Sequence, residues 1–167
     1  LHWAVRIKRI DIVDYFLELG LNINIQNQKQ STPLHYAVHM HDLAMVKHLI
    51  SKNANPNLGD INFLTPLHFS VQKDLLSISK CLIEYGANID AISKNHLTVL
   101  HASARNGQVE MVKMLLEKGA NPNAKTLNLM TPIHFAVKFQ RHDIVDLLLK
   151  DQRTIPDQID ADGLSAL

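Results

Sequence analysis

The sequence predicts an all-α solenoid, in which short helix-turn-helix units stack side by side and β-hairpin fingers join one unit to the next. Three observations support this prediction: a phrase that recurs at a fixed interval, an apolar stripe of helical spacing after each copy, and turn-forming residues after each stripe. Because one such pair of helices is too small to bury its apolar face alone, neighbouring units must supply the core.

The recurring phrase reads Thr-Pro-Leu-His-Tyr-Ala in its first full copy. The four copies begin at Thr32, Thr65, Thr98 and Thr131, so they are 33 residues apart each time. A copy without its first two residues opens the chain at Leu1, and 165–167 begins another. The chain therefore resembles the ankyrin-repeat family, whose signature is a 33-residue period with T-P-L-H-x-A. The resemblance covers essentially the whole chain.

We interpret the chain as a single ankyrin-repeat array of about five helix pairs. Both ends of the sequence fall inside the repeated phrase, so we expect an array truncated at both ends. The predicted boundaries are 1–26 for a partial repeat, then 27–59, 60–92, 93–125 and 126–159, followed by the start of a further repeat at 160–167.

The unit that begins at Thr32 serves as the template. Thr32 has the short hydroxyl side chain of a helix N-cap, and Pro33 stands at the first helical position, where its missing N–H costs nothing. The second helix is predicted to begin near Leu43, and the asparagines and proline of 53–57 end it. The predicted stripes of the second helices are Ile12, Val13, Phe16 and Leu17; Met45, Val46, Leu49 and Ile50; Ile78, Leu82 and Ile83; Met111, Val112, Leu115 and Leu116; and Ile144, Val145, Leu148 and Leu149.

Two columns depart from the family pattern, which usually has glycine there. A residue other than glycine is strained at positive φ. Either these turns are therefore built differently, or each of these residues accepts a small energetic penalty. The column between the two helices reads Lys8, His41, Asp74, Gly107 and Gln140, and the finger column reads Gln30, Phe63, His96, Leu129 and Gly163.

Two predicted fingers are apolar where the family has polar or small residues. One contains Ile61, Phe63 and Leu64, and the other Leu127, Leu129 and Met130. One interpretation is that these side chains pack on the adjacent finger. The other is an exposed apolar patch that marks a partner or another part of the parent protein.

The resemblance implies that the fingers and the exposed ends of the first helices form a concave face that binds other proteins. Neither column there contains an acid, which favours a partner with carboxylates and a few apolar anchors, unless the acids are missing by accident. The columns read Arg6, His39, Gln72, Arg105 and Lys138, and Ile7, Met40, Lys73, Asn106 and Phe139. The carboxylates collect on the second helices, at Asp11, Asp14, Glu84, Glu110, Glu117, Asp143 and Asp146.

Mapping the family's binding surface onto these columns gives the candidate partner-binding residues. On the helices and in the fingers they are Arg6, His39, Met40, Lys73, Arg105, Lys138, Phe139, Ile61, Asn62, Phe63, Leu64, Leu127 and Met130.

The sequence does not indicate catalysis, a cofactor or a metal site. It contains no phosphate-binding glycine loop, no H-E-x-x-H and no G-x-S-x-G. His2, His35, His68, His101 and His134 occupy one column of the repeat, so we assign them a structural role. Cys81 lies in a helical stripe and is expected to be a small core residue.

Composition narrows the class of partner. A net charge of +1 gives no general attraction to nucleic acid, and no apolar run approaches the ~20 residues of a membrane helix. We therefore predict protein–protein recognition, in the cytoplasm. The alternatives are a scaffold segment inside a large protein, such as a latrotoxin-like pore-forming toxin or an ankyrin-rich channel, and an effector of an intracellular bacterium; a toxin or effector would be secreted.

Overall fold

The computed structural model describes residues 1–166, and in this range the regular secondary structure is helical, as predicted, with turns and loops between the helices. Leu167, the last residue of the predicted further repeat, lies outside the described residues. Within 1–166 no sheet forms, and a single β-bridge joins Ile159 to Ser165. The helices form five pairs: α1 His2–Arg6, α2 Ile10–Glu18, α3 Pro33–His39, α4 Leu43–Ser51, α5 Pro66–Gln72, α6 Leu76–Glu84, α7 Val99–Asn106, α8 Val109–Glu117, α9 Pro132–Lys138 and α10 His142–Lys150.

The chain divides into two compact units, Leu1–Asn88 and Ile89–Leu167. In the first unit the first helices α1, α3 and α5 pack on one another in sequence order, and α4 packs on α6. In the second unit α7 packs on α9 and α8 on α10. Each unit therefore has one layer of first helices and one layer of second helices, with the apolar stripes between them.

The recurring phrase starts each first helix from α3 onward. Thr32 is the N-cap of α3, with φ −89° and ψ 167°, and Pro33 follows at the first helical position. The Nδ1 atom of His35 accepts a hydrogen bond from the backbone N–H of Thr32 at 3.1 Å. His35 thus does what Glu or Gln does in an ordinary capping box, since it satisfies a backbone donor that the helix leaves free. The predicted caps are confirmed.

The Nε2 nitrogen of four of these imidazoles reaches the next repeat. The Nε2 of His35 lies 2.9 Å from the carbonyl oxygen of Leu64, at the end of the following finger. Because Nδ1 accepts a bond, Nε2 carries the proton and donates it, so the ring is neutral. The structural role predicted for these histidines is present. The equivalent contacts are His2 to Ser31, His101 to Met130 and His134 to Leu164.

The second helices turn their predicted stripes towards the core, but one stripe residue is exposed and six are only half-buried, namely Ile12, Phe16, Leu17, Ile83, Leu116 and Val145. Leu49, Leu82, Leu115 and Leu148 are all fully buried. Leu149 was placed in the last stripe, but 43% of it is exposed. It follows Leu148 directly, and one residue turns an α-helix by about 100°, which points Leu149 away from the buried side.

Polar core positions are paired. The hydroxyls of Ser70 and Ser79, both fully buried, lie 2.8 Å apart and join α5 to α6. Cys81 is buried, as predicted, and burial raises the pKa of its thiol, which disfavours the reactive thiolate.

The two columns that lack glycine keep the glycine conformation. Between the helices, Lys8, His41, Asp74 and Gln140 all have φ between 53° and 57°. In the fingers, φ is 57° at Gln30 and His96, 59° at Phe63 and 58° at Leu129. The turns are therefore not built differently. Each of these residues adopts the conformation usual for glycine and accepts the strain.

Each predicted finger is a tight turn closed by two backbone hydrogen bonds. In the second finger the N–H of Asp60 donates to the carbonyl of Leu64 at 3.0 Å. The carboxylate of Asp60 also accepts from the N–H groups of Asn62 at 2.8 Å and Leu64 at 3.0 Å. Successive fingers are linked, because the N–H of Ile61 donates to the carbonyl of Lys29. The same turn returns at 160–164, where Gly163 has φ 77°.

The loops after the second helices are also tied together. The Oδ1 atom of Asn57 accepts from the N–H of Asn88 at 2.7 Å, and its Nδ2 donates to the carbonyl of Gly86. Related bonds join Asp90 to Asn121 and Asn123 to Ile155. The junction after α10 is irregular, since Asp151 there is extended, with φ −75° and ψ 113°.

Candidate functional site

Three surface grooves lie between the fingers and the first helices. The groove of the Leu1–Asn88 unit encloses about 420 Å³. In the Ile89–Leu167 unit, grooves of about 270 Å³ and 490 Å³ adjoin each other, because Asn128 and Met130 line both. Each groove has at least one of the candidate partner-binding residues in its lining.

The groove of the first unit brings several predicted residues together. Its lining includes His39 at the end of α3 and the finger residues Ile61, Asn62 and Leu64. Six other lining residues were not among the candidates, namely Lys29, Ser31, His35, Tyr36, Asp60 and Phe69.

Tyr36 and Phe69 stand directly after the histidine of their repeats. The Tyr36 ring meets the His2 ring edge to face at 5.2 Å, and Phe69 meets His35 in the same way at 5.6 Å. Such contacts are the preferred geometry of aromatic pairs. The aromatic residues after His35, His68 and His134 were a sequence signal that could have identified this groove wall.

The two grooves of the second unit differ in charge. Leu127 and Met130 line the smaller one, whose lining contains no charged side chain among the described residues. Met130 and Lys138 line the larger one together with Asp160 and Asp162. A positive and two negative side chains therefore share the larger groove.

The remaining predicted residues lie outside these three linings. Arg6, Lys73 and Arg105 are exposed at the ends of their first helices, and Met40 is half-buried. The Arg6 guanidinium lies 4.9 Å from the centre of the Trp3 ring. Phe139 stacks on Phe135 at 6.4 Å, and 42% of it is exposed.

The apolar finger residues divide into exposed and half-buried ones. Ile61 is 55% exposed, Phe63 59% and Leu127 61%, and Leu129 is also exposed. Packing on the adjacent finger, the first of the two interpretations, is therefore wrong for these four. Leu64 and Met130 are half-buried. The exposed side chains form the apolar part of the finger surface.

The carboxylates of the second helices are mostly exposed. Asp14 is an exception, since it accepts a hydrogen bond from His48 at 2.8 Å and lies 3.3 Å from Lys52. This pair joins α2 to α4. Glu84, Glu117, Asp143 and Asp146 are exposed.

Other kinds of site were searched for within residues 1–166. This range contains no cluster of three His, Cys, Asp or Glu side chains that could hold a metal ion. None of its helices has the length and apolar character needed to cross a membrane.

Comparison with known proteins identifies the repeat. A family model described as ankyrin repeats matches in three overlapping copies, at residues 1–60, 42–126 and 77–160. No curated protein matches the chain. The chain belongs to the ankyrin-repeat family. Ankyrin repeats generally act as protein-interaction modules and are typically non-enzymatic.

Proposed function

We propose that this ankyrin-repeat array binds a partner protein through its fingers and the exposed ends of its first helices. The observation that carries the proposal is the state of Phe63 and Leu129. Both are large apolar residues at a left-handed backbone position, and both are exposed.

Neither residue benefits the isolated fold. A left-handed conformation costs an L-residue about 1–2 kcal/mol, and glycine would avoid that cost. Exposed apolar side chains gain little from folding, and contiguous ones mark interaction sites. Strain that brings no gain in stability is typical of functional positions. Burial against a partner would recover the apolar contribution of Phe63 and Leu129.

The neighbouring residues fit this role. Ile61 and Leu127 are equivalent in the repeat, and both present exposed apolar side chains beside the strained residues. A few apolar and aromatic anchors usually dominate the affinity of an interface, while charges at its rim tune the encounter rate. Arg6, Lys73 and Arg105 would supply such a rim.

The test separates binding from stability. Peptides are selected from a phage-displayed library on the immobilised chain, and their affinities are measured for the wild type and for the double variant Phe63→Gly, Leu129→Gly. We expect the variant to unfold at an equal or higher urea concentration, because glycine relieves the strain. Its affinity should nevertheless fall about tenfold or more, since two anchors are lost.

The matched control is the double variant Gln30→Gly, His96→Gly. It relieves the same strain in the same finger column but removes polar side chains. It should keep the wild-type affinity. Equal affinities for the wild type and the Phe63→Gly, Leu129→Gly variant would contradict the proposal.

The partner in this proposal is another protein or another part of the parent chain, as in a scaffold segment of a toxin or channel or in a bacterial effector. The segment itself has no catalytic role in the proposal. A reducing compartment such as the cytoplasm suits its free thiol at Cys81.

A further inference from the structure

We infer that the groove of the Leu1–Asn88 unit binds a short acidic peptide segment, in which a carboxylate stands next to an aliphatic or aromatic side chain. The inference rests on the proposed function and names the partner chemistry for one groove. It follows from the apolar wall, the unused donors and the charges of that groove.

The size of the groove fits a segment of a few residues. Its volume of about 420 Å³ lies within the range of roughly 300–1,000 Å³ that is usual for small-ligand pockets. A folded domain would not enter it, whereas one or two side chains of a peptide would.

The wall of the groove is apolar. Phe69 is half-buried and held edge to face against His35, so its ring is fixed before any ligand binds. Ile61 lines the finger side, and 55% of it is exposed. An apolar side chain placed between them would cover both, which is the most favourable use of this surface.

The polar groups of the groove are mainly donors. The Tyr36 hydroxyl oxygen accepts a hydrogen bond from the Asn27 amide at 3.1 Å. None of the residues that the structure describes accepts the hydroxyl proton of Tyr36 in return. Lys29 and His39 line the same groove and are exposed. A ligand that offers an oxygen acceptor would pair with these donors, and a carboxylate forms the strongest such bonds.

The charges of the groove also favour an acid. Asp60 is the one carboxylate among its described lining residues, and it is 7% exposed. Its Oδ1 atom already accepts two backbone N–H bonds of its own finger, so Asp60 serves the finger turn. Lys29 is the exposed charged side chain of this groove, so a ligand that enters the groove meets a positive charge.

The grooves of the second unit lack this combination. The larger one has Asp160 and Asp162 beside Lys138, and the described lining of the smaller one is uncharged. Charge complementarity therefore assigns the acidic segment to the groove of the first unit.

The experiment uses linear peptides selected from a phage-displayed random library on the full chain, labelled with fluorescein and titrated by fluorescence anisotropy. We expect the selected sequences to place Asp or Glu next to a Leu, Ile or Phe. Lys29→Glu should weaken binding about tenfold or more, and Tyr36→Phe about tenfold, because each removes one partner of the carboxylate.

Two controls isolate the groove. Lys94→Glu makes the same charge change on an exposed finger residue outside the groove, and it should leave the affinity within about twofold of wild type. A peptide in which the acid is replaced by Lys should bind the Lys29→Glu variant more tightly than it binds the wild type.

The outcomes separate the inference from the proposed function. Selected peptides without an acid, whose binding is lost in the Phe63→Gly, Leu129→Gly variant, would overturn the inference that this groove binds an acidic segment. They would leave the proposed function intact. Acidic peptides whose affinity is unchanged in both the Lys29→Glu and the Tyr36→Phe variant would also overturn this inference. If no peptide is enriched on the wild type at all, both are overturned. Acidic peptides that lose affinity in Lys29→Glu and Tyr36→Phe but not in the Phe63→Gly, Leu129→Gly variant would support the groove and contradict the proposed role of Phe63 and Leu129.

Discussion

At the scale of single residues, the histidine of the repeated phrase shows how position determines chemistry. His101 is fully buried, accepts a hydrogen bond from Thr98 and contacts the carbonyl of Met130 in the next finger. Burial penalises the charged imidazolium and lowers the pKa of His101 to about 4, and it lowers the pKa of His35 as well. Both rings act as neutral connectors between repeats.

This burial predicts a loss of stability in acid. The unfolded chain binds a proton at His101 near pH 6.5, but the folded chain does so only near pH 4. The stability that neutral His101 contributes is therefore fully present above pH 6.5 and is lost as the pH falls towards 4. At about 1.4 kcal/mol per pKa unit, the loss in the free energy of unfolding is up to about 3 kcal/mol. Urea unfolding between pH 7 and pH 4 measures the loss.

A direct check is the titration of the His101 ring by NMR in the folded and the urea-unfolded protein. The two values should differ, with the folded one lower. A folded His101 that titrates near pH 6.5 would contradict the predicted connector role.

Backbone strain is the second property of single residues. Gln140 has φ 55° and is exposed, so Gln140→Gly should relieve strain without removing buried contacts. We expect about 0.5–1 kcal/mol of added stability, because the relief of strain exceeds the conformational entropy that glycine adds to the unfolded chain. The matched control is Gln72→Gly in α5, which should cost about as much. A lower urea midpoint for Gln140→Gly than for wild type would refute the strain argument.

At the scale of helices and turns, two kinds of contact hold a pair of helices to the next pair within a unit. The stripe of a second helix supplies apolar burial, and the histidines and loop asparagines supply hydrogen bonds to the next repeat. Apolar burial should dominate, because a net hydrogen bond contributes only about 1 kcal/mol.

Leu115 in α8 tests the buried stripe. It is fully buried, so Leu115→Ala should cost roughly 2–5 kcal/mol through lost burial and a residual cavity. Lys94→Ala, on an exposed finger, should change stability by no more than about 0.5 kcal/mol. Comparable urea midpoints for the two variants would mean that the helix register is wrong.

At the scale of the whole molecule, a repeat contacts only its neighbours, so a destabilising substitution should affect mainly its own repeat and the adjacent ones. Leu49 is fully buried in α4, within the Leu1–Asn88 unit. Leu49→Ala should raise native-state hydrogen exchange most in α3, α4, α5 and α6, and least in α9 and α10. Exchange that rises equally in all ten helices would contradict this prediction.

The sequence by itself determined the repeat, its caps and its helices. The reason is that these features are local: Thr32, Pro33 and His35 are close in the chain and satisfy the same helix end. The apolar stripes follow from the helical period. The period wrongly placed Leu149 in a stripe, and it did not separate the buried stripe residues from half-buried ones such as Phe16. The exposed finger residues could be assigned to the fingers for the same reason, because their position within the repeat is also a local feature of the sequence.

Only the tertiary structure decided how the strained turns and the groove are made. Phe63 and Leu129 keep a glycine conformation because the helices on both sides of each finger hold its ends, which no local preference predicts. The groove joins Lys29, Tyr36 and Phe69, which are far apart in the sequence and meet because consecutive repeats stack. Burial and charge at such a site depend on neighbours in space, so Lys29 could be assigned only once the repeats were packed, whereas the aromatic ring after His35 was a signal in the sequence.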